Sequence, residues 1–425
     1  MKKYEIIGYP RLVRLNPNIP WKTRGNGALC LCVGKKDKTI KQKIGEINGD
    51  DVLCSSSFTH ELDENDQQDV YTIVREILKK QARIEDENTN PGFVLLSTRP
   101  PLHLYKKAVR SIVTLDDVLL VLQKLHARFE GYKNQRGLIG AAAAIAWDPD
   151  DCTFEVIAYR MNTRWGTKRE VDGESVKKLD EKYRSTFDNY DYRNHHNRIT
   201  PNSPCPILFG IRGDVAEELT AAVASVNSEP IESWLVFQSN QGTDEHLQQK
   251  RINEVKPFES VRIEGKVTEN PHTISGGHVL FNLTDGTSII PCIAYEPTKE
   301  FRGIIRGLFN GDLVTVYGAV RESPLTVNLE KIFIKELTSV PLKTENPVCP
   351  KCGKHMKSKG KEQGYKCIRC KTTSNAPIIQ NQPRSIAKGF YEVPVCARRH
   401  LSKPLKRMNK HQSMDVSLIG ISDTP

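Results

Sequence analysis

The sequence predicts a multidomain α+β protein, and three observations carry that class. Residues 153 to 238 alternate strand and helix patterns in the order β-α-β-β-α-β, residues 257 to 340 repeat a strand-and-turn rhythm with one helical insertion, and two Cys-x-x-Cys pairs lie in the last quarter. At 425 residues the chain is long enough for two to four domains with their own cores. Four are expected: an α/β domain over 1–149, a ferredoxin-like domain over 150–256, an OB-fold over 257–342, and a zinc ribbon with a basic C-terminal segment over 343–425.

The first domain is the least regular. A strand is expected at "GALCLCVG", helices at "QDVYTIVREILKK" and "LDDVLLVLQKLHARF", a strand at "GFVLLS", and an Ala-rich packed segment over 138–146. The opening residues read as a polar loop, and no strand is evident to pair with the sheet. In the second domain "TFEVIAYR", "CPILFGIRG" and "SWLVFQS" read as strands and "TFDNYD" as a short extended piece. Helices are expected at "GESVKKLDEKYR" and "DVAEELTAAVASV", the latter with Asp214 as its N-cap. This order is ferredoxin-like. In the third domain Asp285-Gly286 and Gly311-Asp312 separate β-branched runs, and "KEFRGIIRGLF" supplies a helix before the fourth strand. Five strands with a helix after the third is the OB-fold pattern, a small barrel that often binds single-stranded nucleic acid.

Cys349 and Cys352 are separated from Cys367 and Cys370 by fourteen residues. Four thiolates at that spacing suit tetrahedral Zn²⁺ with no open position, so the metal is structural. The other seven of the eleven cysteines read as small core residues, and an odd count without a secretion signal argues against a disulfide framework. Between Lys343 and Lys410 there are 17 lysines and arginines against three glutamates, a local balance of +14 within a net charge of +11. A field of that sign draws phosphate backbones by counterion release. The longest apolar run, "LIGAAAAIAW", is ten residues, too short to span a bilayer. Glu5, Gly8 and Pro10 interrupt what would be a signal-peptide core after Lys2 and Lys3, so a cytoplasmic location is expected.

Four polar loops sit where strands end and could line one interdomain cleft. "NPNIPWKTRGNG" offers Lys22, Arg24, Gly25, Asn26 and Gly27, with glycines that let the backbone approach a phosphate. "RMNTRWGTKR" offers Arg164, Trp165, Lys168 and Arg169; "TPNSPCPILFGIRG" ends in Arg212; "SNQGTDEHL" offers Asn240, Gln241, Asp244 and His246. No P-loop, Gly-x-Ser-x-Gly, His-Glu-x-x-His or kinase signature is present, so any grip on ATP is nonstandard.

"GYPRLVRLNPNIPWKTRGNGA", "YRMNTRWGTKR", "FDNYD", "ITPNSPCPILFGIRGD", "NQGTDEHL", the two cysteine pairs and "GFYEVPVCARRHLSKPLKR" together resemble the archaeal isoleucine tRNA 2-agmatinylcytidine synthetases, over nearly the whole chain. The resemblance implies a kinase-like first domain and an ATP-dependent ligase that joins agmatine to C2 of the wobble cytidine in a CAU-anticodon tRNA. The product, agmatidine, reads AUA. It implies ATP with Mg²⁺ for catalysis, Zn²⁺ for structure, and agmatine and isoleucine tRNA as partners. Lys22, Arg24 and the amides around Asn26 are then the expected phosphate grip, and Asp244 or His246 the base that keeps the attacking amine neutral. Trp165 is a stacking partner for an extruded base, with Arg164, Lys168, Arg169, Arg212, Asn240 and Gln241 around agmatine and the anticodon, the four basic residues for the anticodon phosphates or ATP. Arg398, Arg399, Lys403, Lys406 and Arg407 are the expected tRNA contacts of the basic tail. The resemblance also implies an opening strand with an Asp-Asp-Thr-Asp loop and a Cys-Thr-Thr segment. This chain carries neither, so Met1 is expected to fall inside the first domain. The competing reading is a non-catalytic protein that binds tRNA or single strands through its OB-fold and ribbon.

Overall fold

The computed structural model describes residues 3–22, 25–36, 41–56, 61–339, 341–376, 378–381 and 383–408. Its first domain contains β1 (Tyr4–Arg14), β2 (Gly27–Lys35), β3 (Lys41–Ile47), β4 (Asp50–Ser55), α1 (Glu64–Gln81), β5 (Gly92–Leu95), α2 (Leu102–Arg110), α3 (Leu115–Lys124), β6 (Arg128–Gly131) and α4 (Gly137–Ala146). The Ala-rich segment is therefore a helix, and its small side chains let it pack tightly against α2 and α3. The opening residues are the main difference from the sequence reading. They form β1, which pairs antiparallel with β2 through a bulge between Ile7 and Arg11. Gly8 at φ +64° and Pro10 sit in that bulge, and they break the two-residue alternation that marks a strand.

The second domain runs β7 (Thr153–Arg160), α5 (Gly173–Lys182), β8 (Thr186–Phe187), the small hairpin β9 (Tyr190–Asp191) and β10 (His196–Asn197), β11 (Ile207–Gly213), α6 (Ala216–Val223) and β12 (Ile231–Ser239). Its four long-range strands lie in the order β12-β7-β11-β8, the ferredoxin-like arrangement. They continue into the first domain as one eight-stranded sheet, β2-β1-β4-β3-β12-β7-β11-β8, with β1 also parallel to β12. Asp172 caps α5 as an acceptor for Glu174 and Ser175 amides, but Asp214 does not cap α6. Val215 occupies that position without a side-chain cap, and Asp214 instead accepts from Arg407 at 2.6 Å.

The third domain contains β13 (Leu247–Gln249), β14 (Ser260–Val267), β15 (His272–Thr273), β16 (Val279–Thr284), β17 (Ile289–Ala294), α7 (Phe301–Arg306), β18 (Leu313–Arg321) and β19 (Thr326–Glu336). Pairing of β14 with both β18 and β16 closes a five-stranded barrel around Val261, Ile263, Phe281, Val316 and Ile332. After it come β20 (Pro341–Glu345), the ribbon strands β21 (Lys357–Ser358), β22 (Tyr365–Lys366) and β23 (Thr373–Ser374), β24 (Ile378–Asn381), and β25 (Gly389–Glu392), which returns to pair with β19. Among the described residues no helix is long and apolar enough to cross a membrane.

Candidate functional site

The register of the large sheet fixes which loops can meet. β7 starts beside Ser239 and ends beside Ile231, and β11 starts beside Tyr159 and ends beside Phe154. Arg11 of β1 pairs with Gln238. The ends of β1, β11 and β12 therefore lie together, with Arg14, Arg212 and the loop from Asn240. The segments over 161–172 and 199–206 lie at the other end, roughly 25 Å away by the rise of an eight-residue strand. The four polar loops divide between two ends of the sheet rather than lining one cleft.

At the far end Arg169 is a brace. Its Nε donates to Ile207 O, Nη1 to Pro201 O, and Nη2 to Ser203 O and Cys205 O, all at 2.8 to 2.9 Å. A guanidinium with its donors committed to carbonyls in this way has little left for a ligand. Arg164 pairs with Glu170 at 3.0 Å, while Trp165 is 50% exposed and Lys168 is exposed. Beneath them Arg160 and Glu229 form a fully buried pair at 2.6 Å.

At the near end Asn240 is a structural bridge: its Oδ1 accepts from the Arg14 amide at 2.7 Å, and its Nδ2 donates to Arg14 O at 2.8 Å and to the Tyr105 hydroxyl at 2.7 Å. It is wholly buried, so it prolongs β1 rather than facing a substrate. Gln241, also buried, donates to Glu155. Glu155 is 4% exposed; its Oε1 accepts from Arg212 Nε at 3.1 Å and its Oε2 lies 3.7 Å from Arg14 Nη2. Burial alone would raise this carboxyl, but Arg212 and Arg14 hold it below the usual range, so it is ionised. His400 Nδ1 is 3.0 Å from both Arg212 Nη2 and Gln241 Oε1. Sequence reasoning missed Glu155 and gave Arg14 no role. The available signal was an acidic residue inside the apolar strand "TFEVIAYR".

The expected bases are placed differently from an exposed loop. His246 is fully buried, with Nε2 at 3.1 Å from Glu330 of β19. Asp244, at φ +63°, binds the buried Lys331 ammonium at 2.5 Å and the Lys403 amide at 2.6 Å. Both groups fasten the loop after β12 to the barrel and the tail: His246 is buried with only its Nδ1 unpartnered, and Asp244 is engaged by Lys331 and the Lys403 amide.

The loop after β1 also docks on the barrel. Asn16 Nδ2 donates to Phe258 O at 2.9 Å, and Asn18 Nδ2 to Ser260 Oγ at 2.9 Å. Gly25 sits at φ +81°, a conformation that favours glycine, with the Arg14 guanidinium 2.8 Å from where a Cβ would stand. Asn26 donates to Asn16 O at 2.8 Å, and Arg24 lies outside the described residues. Lys22 is exposed and opens with Asn18, Phe258, Arg321 and Arg399 onto a cleft of about 430 Å³.

The basic tail is tied to the body of the protein, although Lys406 remains exposed and Arg399 half-buried. Arg398 pairs with Asp188 and with Glu392 at 2.6 Å; Arg399 lies 3.5 Å from Glu330 and donates to Asn18; Lys403 meets Asp151 at 2.9 Å. Lys406 donates to Thr186 O at 2.7 Å, and Arg407 meets Asp151 at 2.7 Å and Asp214 at 2.6 Å. These five are struts between the second domain, the barrel and the tail. The exposed positive field lies instead on the ribbon, where Lys351, Lys354, Lys357, Lys359, Lys361, Lys366, Arg369 and Lys371 are exposed.

The sulfurs of Cys349, Cys352, Cys367 and Cys370 lie within 4.8 Å of one another, with Cys352 and Cys367 at 3.6 Å. Tetrahedral Zn–S bonds of about 2.3 Å require sulfurs about 3.8 Å apart, so this donor set fits Zn²⁺. Among the described residues it is also the only group of three or more Cys, His, Asp or Glu at ligand distance.

Family models match almost end to end: "TiaS TCKD domain" over 1–134, "TiaS FLD domain" over 135–246, "OB-fold nucleic acid binding domain" over 261–334 and "TiaS C-terminal zinc ribbon domain" over 346–386. The isoleucine tRNA 2-agmatinylcytidine synthetase TiaS of Archaeoglobus fulgidus is 41% identical over 95% of this chain and 90% of its own, and that of Methanocaldococcus jannaschii 42% over 94% and 90%. The fold superposes on a crystal structure of TiaS in complex with isoleucine tRNA and ATP with a TM-score of 0.80 at 40% identity, covering 95% of this chain and 89% of that one. For TiaS in complex with isoleucine tRNA, AMPCPP and agmatine the TM-score is 0.77 at 36% identity, with 96% and 90% covered. Sharing all four modules in order with these proteins, at such identity over such length, the chain belongs to the isoleucine tRNA 2-agmatinylcytidine synthetase family, TiaS.

Proposed function

We propose that this chain is an ATP-dependent ligase that conjugates agmatine to C2 of the wobble cytidine in CAU-anticodon isoleucine tRNA and acts in the cytoplasm. One observation carries the reading: 41% identity over 95% of the chain to a 2-agmatinylcytidine synthetase. The chemistry explains the need for a nucleotide. The C2 oxygen of cytosine is a poor leaving group, so a phosphoryl group from ATP converts it to a phosphate that the neutral agmatine amine displaces. Phosphoryl transfer asks the protein mainly for positioning and for cations around the moving charge.

This chain's own groups meet that need at the near end of the sheet, where two arginines surround one carboxylate and leave an excess positive charge. Lys22 supplies a further exposed cation at the junction with the barrel. Agmatine keeps its guanidinium charge even when its amine is neutral, so Arg212 serves a phosphate rather than agmatine. Mg²⁺ would enter with the nucleotide and lower the charge on its phosphates.

The test is incubation of residues 1–425 with ATP, Mg²⁺, agmatine and a CAU-bearing isoleucine tRNA transcript, followed by nucleoside mass spectrometry. Agmatidine is the expected product. tRNA binding without product would favour the non-catalytic reading.

A further inference from the structure

We infer that Glu155 is a positioning residue that aims Arg14 and Arg212 as a two-arginine clamp at phosphate oxygens. The inference deepens the proposed function and rests on it for the identity of the substrates. It starts from charge. Among the described residues Glu155 is the single carboxylate touching both guanidiniums, and it comes from a different strand than either. Arg14 belongs to β1 of the first domain and Arg212 to β11 of the ferredoxin-like domain. Two cations on one anion leave the pocket one charge positive, in a place where Arg14 and Arg212 are only 15% and 23% exposed. An uncompensated charge so poorly hydrated is costly unless an anion joins it.

The hydrogen bonds point the same way. Arg212 contacts Glu155 through Nε alone, which leaves the outer edge of its guanidinium free of carboxylate. Arg14 gives Nη1 to Gly25 O at 3.2 Å, while its Nε is buried without a partner. Gln241 donates to Glu155, and its Oε1 lies 3.0 Å from His400 Nδ1. Arg212 Nη2 lies 3.0 Å from His400 Nδ1, while Nη1 makes no hydrogen bond to the described residues. Guanidinium forks of this kind match tetrahedral phosphate oxygens. The left-handed Gly25-Asn26 backbone lies directly over Arg14 and brings the loop after β1 to the same place. The phosphate has two possible sources, the triphosphate of ATP and the backbone of the anticodon loop.

The experiment measures direct binding of a non-hydrolysable ATP analogue and of tRNA, together with KM for ATP, in wild type, Glu155→Gln, Arg212→Lys and the double variant. The amide that replaces the carboxylate in Glu155→Gln accepts through one atom and loses the charge that holds both arginines. Glu155→Gln and Arg212→Lys are each expected to weaken nucleotide binding at least tenfold, with tRNA binding within twofold. The reverse pattern would also support the clamp and assign it to the RNA backbone. In the double variant the Glu155 change is expected to add less to Arg212→Lys than it costs alone, because part of its effect runs through that arginine and part through Arg14; a merely structural carboxylate would add its full effect. Should Glu155→Gln fail to fold, Arg212→Lys decides, since its side chain reaches solvent. Both affinities within twofold of wild type in folded Arg212→Lys would overturn the inference. Binding is read without turnover, so an inactive wild type would remove the ligase reading and leave this one standing or falling on its own.

Discussion

The ammonium of Lys331, fully buried in the barrel wall, lies 2.5 Å from the carboxylate of Asp244, and the same ammonium donates to Lys403 O at 2.8 Å. One ion pair thus joins the loop after β12, the OB barrel and the tail. Removing one partner of a buried pair leaves the other charge unsolvated, which costs about 3 to 5 kcal/mol. Asp244→Asn keeps a residue that tolerates φ +63°, so its effect isolates the charge. The expected loss is at the low end, about 3 kcal/mol, because Asp244 retains a fifth of its exposure. Lys331→Met, which removes the buried cation instead, is expected to cost less. Urea unfolding of both variants tests the order; an Asp244→Asn protein with wild-type stability and no activity would move Asp244 from assembly to catalysis.

What could be read from the sequence follows from how local each signal is. The barrel, the ferredoxin-like order and the ribbon rest on turn residues, alternation and Cys spacing, all contained within a few tens of residues. Whether a charged residue faces water or a distant carboxylate is not local. Arg407 meets Asp151 more than 250 positions earlier, and Arg398 meets Asp188 more than 200 earlier, so the tail read as an exposed basic surface. Asn16 and Asn18 carry the same lesson, since their polar loop is polar in order to bond the barrel backbone.

Glu330 gives a pH dependence with a definite sign. Burial would raise its carboxyl, but His246, Arg399 and Lys331 hold it down to about 2 from an ordinary 4.5. A lowered carboxyl contributes stability that is fully present above the unfolded value and is lost as pH falls through the folded one. The window is therefore pH 4.5 down to 2, with a contribution of about 3 kcal/mol. Glu330→Gln is expected to be less stable than wild type at pH 6, and that difference is expected to shrink as pH falls through this window. Denaturant midpoints at pH 6, 4.5 and 3.5 measure it; a difference that stays constant would show that the carboxylate's charge contributes nothing.

Loop position yields a further expectation. Arg164 and Trp165 lie at the end of β7 opposite to Glu155. Replacing both by alanine is expected to leave KM for ATP within twofold. A tenfold rise would require the far loop to reach the near end and would contradict the sheet register as the organiser of the site.

The ribbon separates metal from charge. Its core consists of Cys349, Met356, Tyr365 and Cys367 with Cys352 and Cys370 packed beside them, too little apolar area to hold without the metal. Chelation or Cys367→Ser is expected to release bound zinc and expose 346–386 to protease, while the OB barrel, with its separate core, keeps its unfolding transition. Exposed lysines act differently. Lys357→Gln, Lys359→Gln and Lys366→Gln together are expected to preserve zinc content and melting but to flatten the salt dependence of tRNA binding, by about 0.7 to 0.9 in log–log slope for each phosphate left without its cation. If affinity falls with an unchanged slope, these lysines do not meet phosphates, and the ribbon contributes to binding by shape alone.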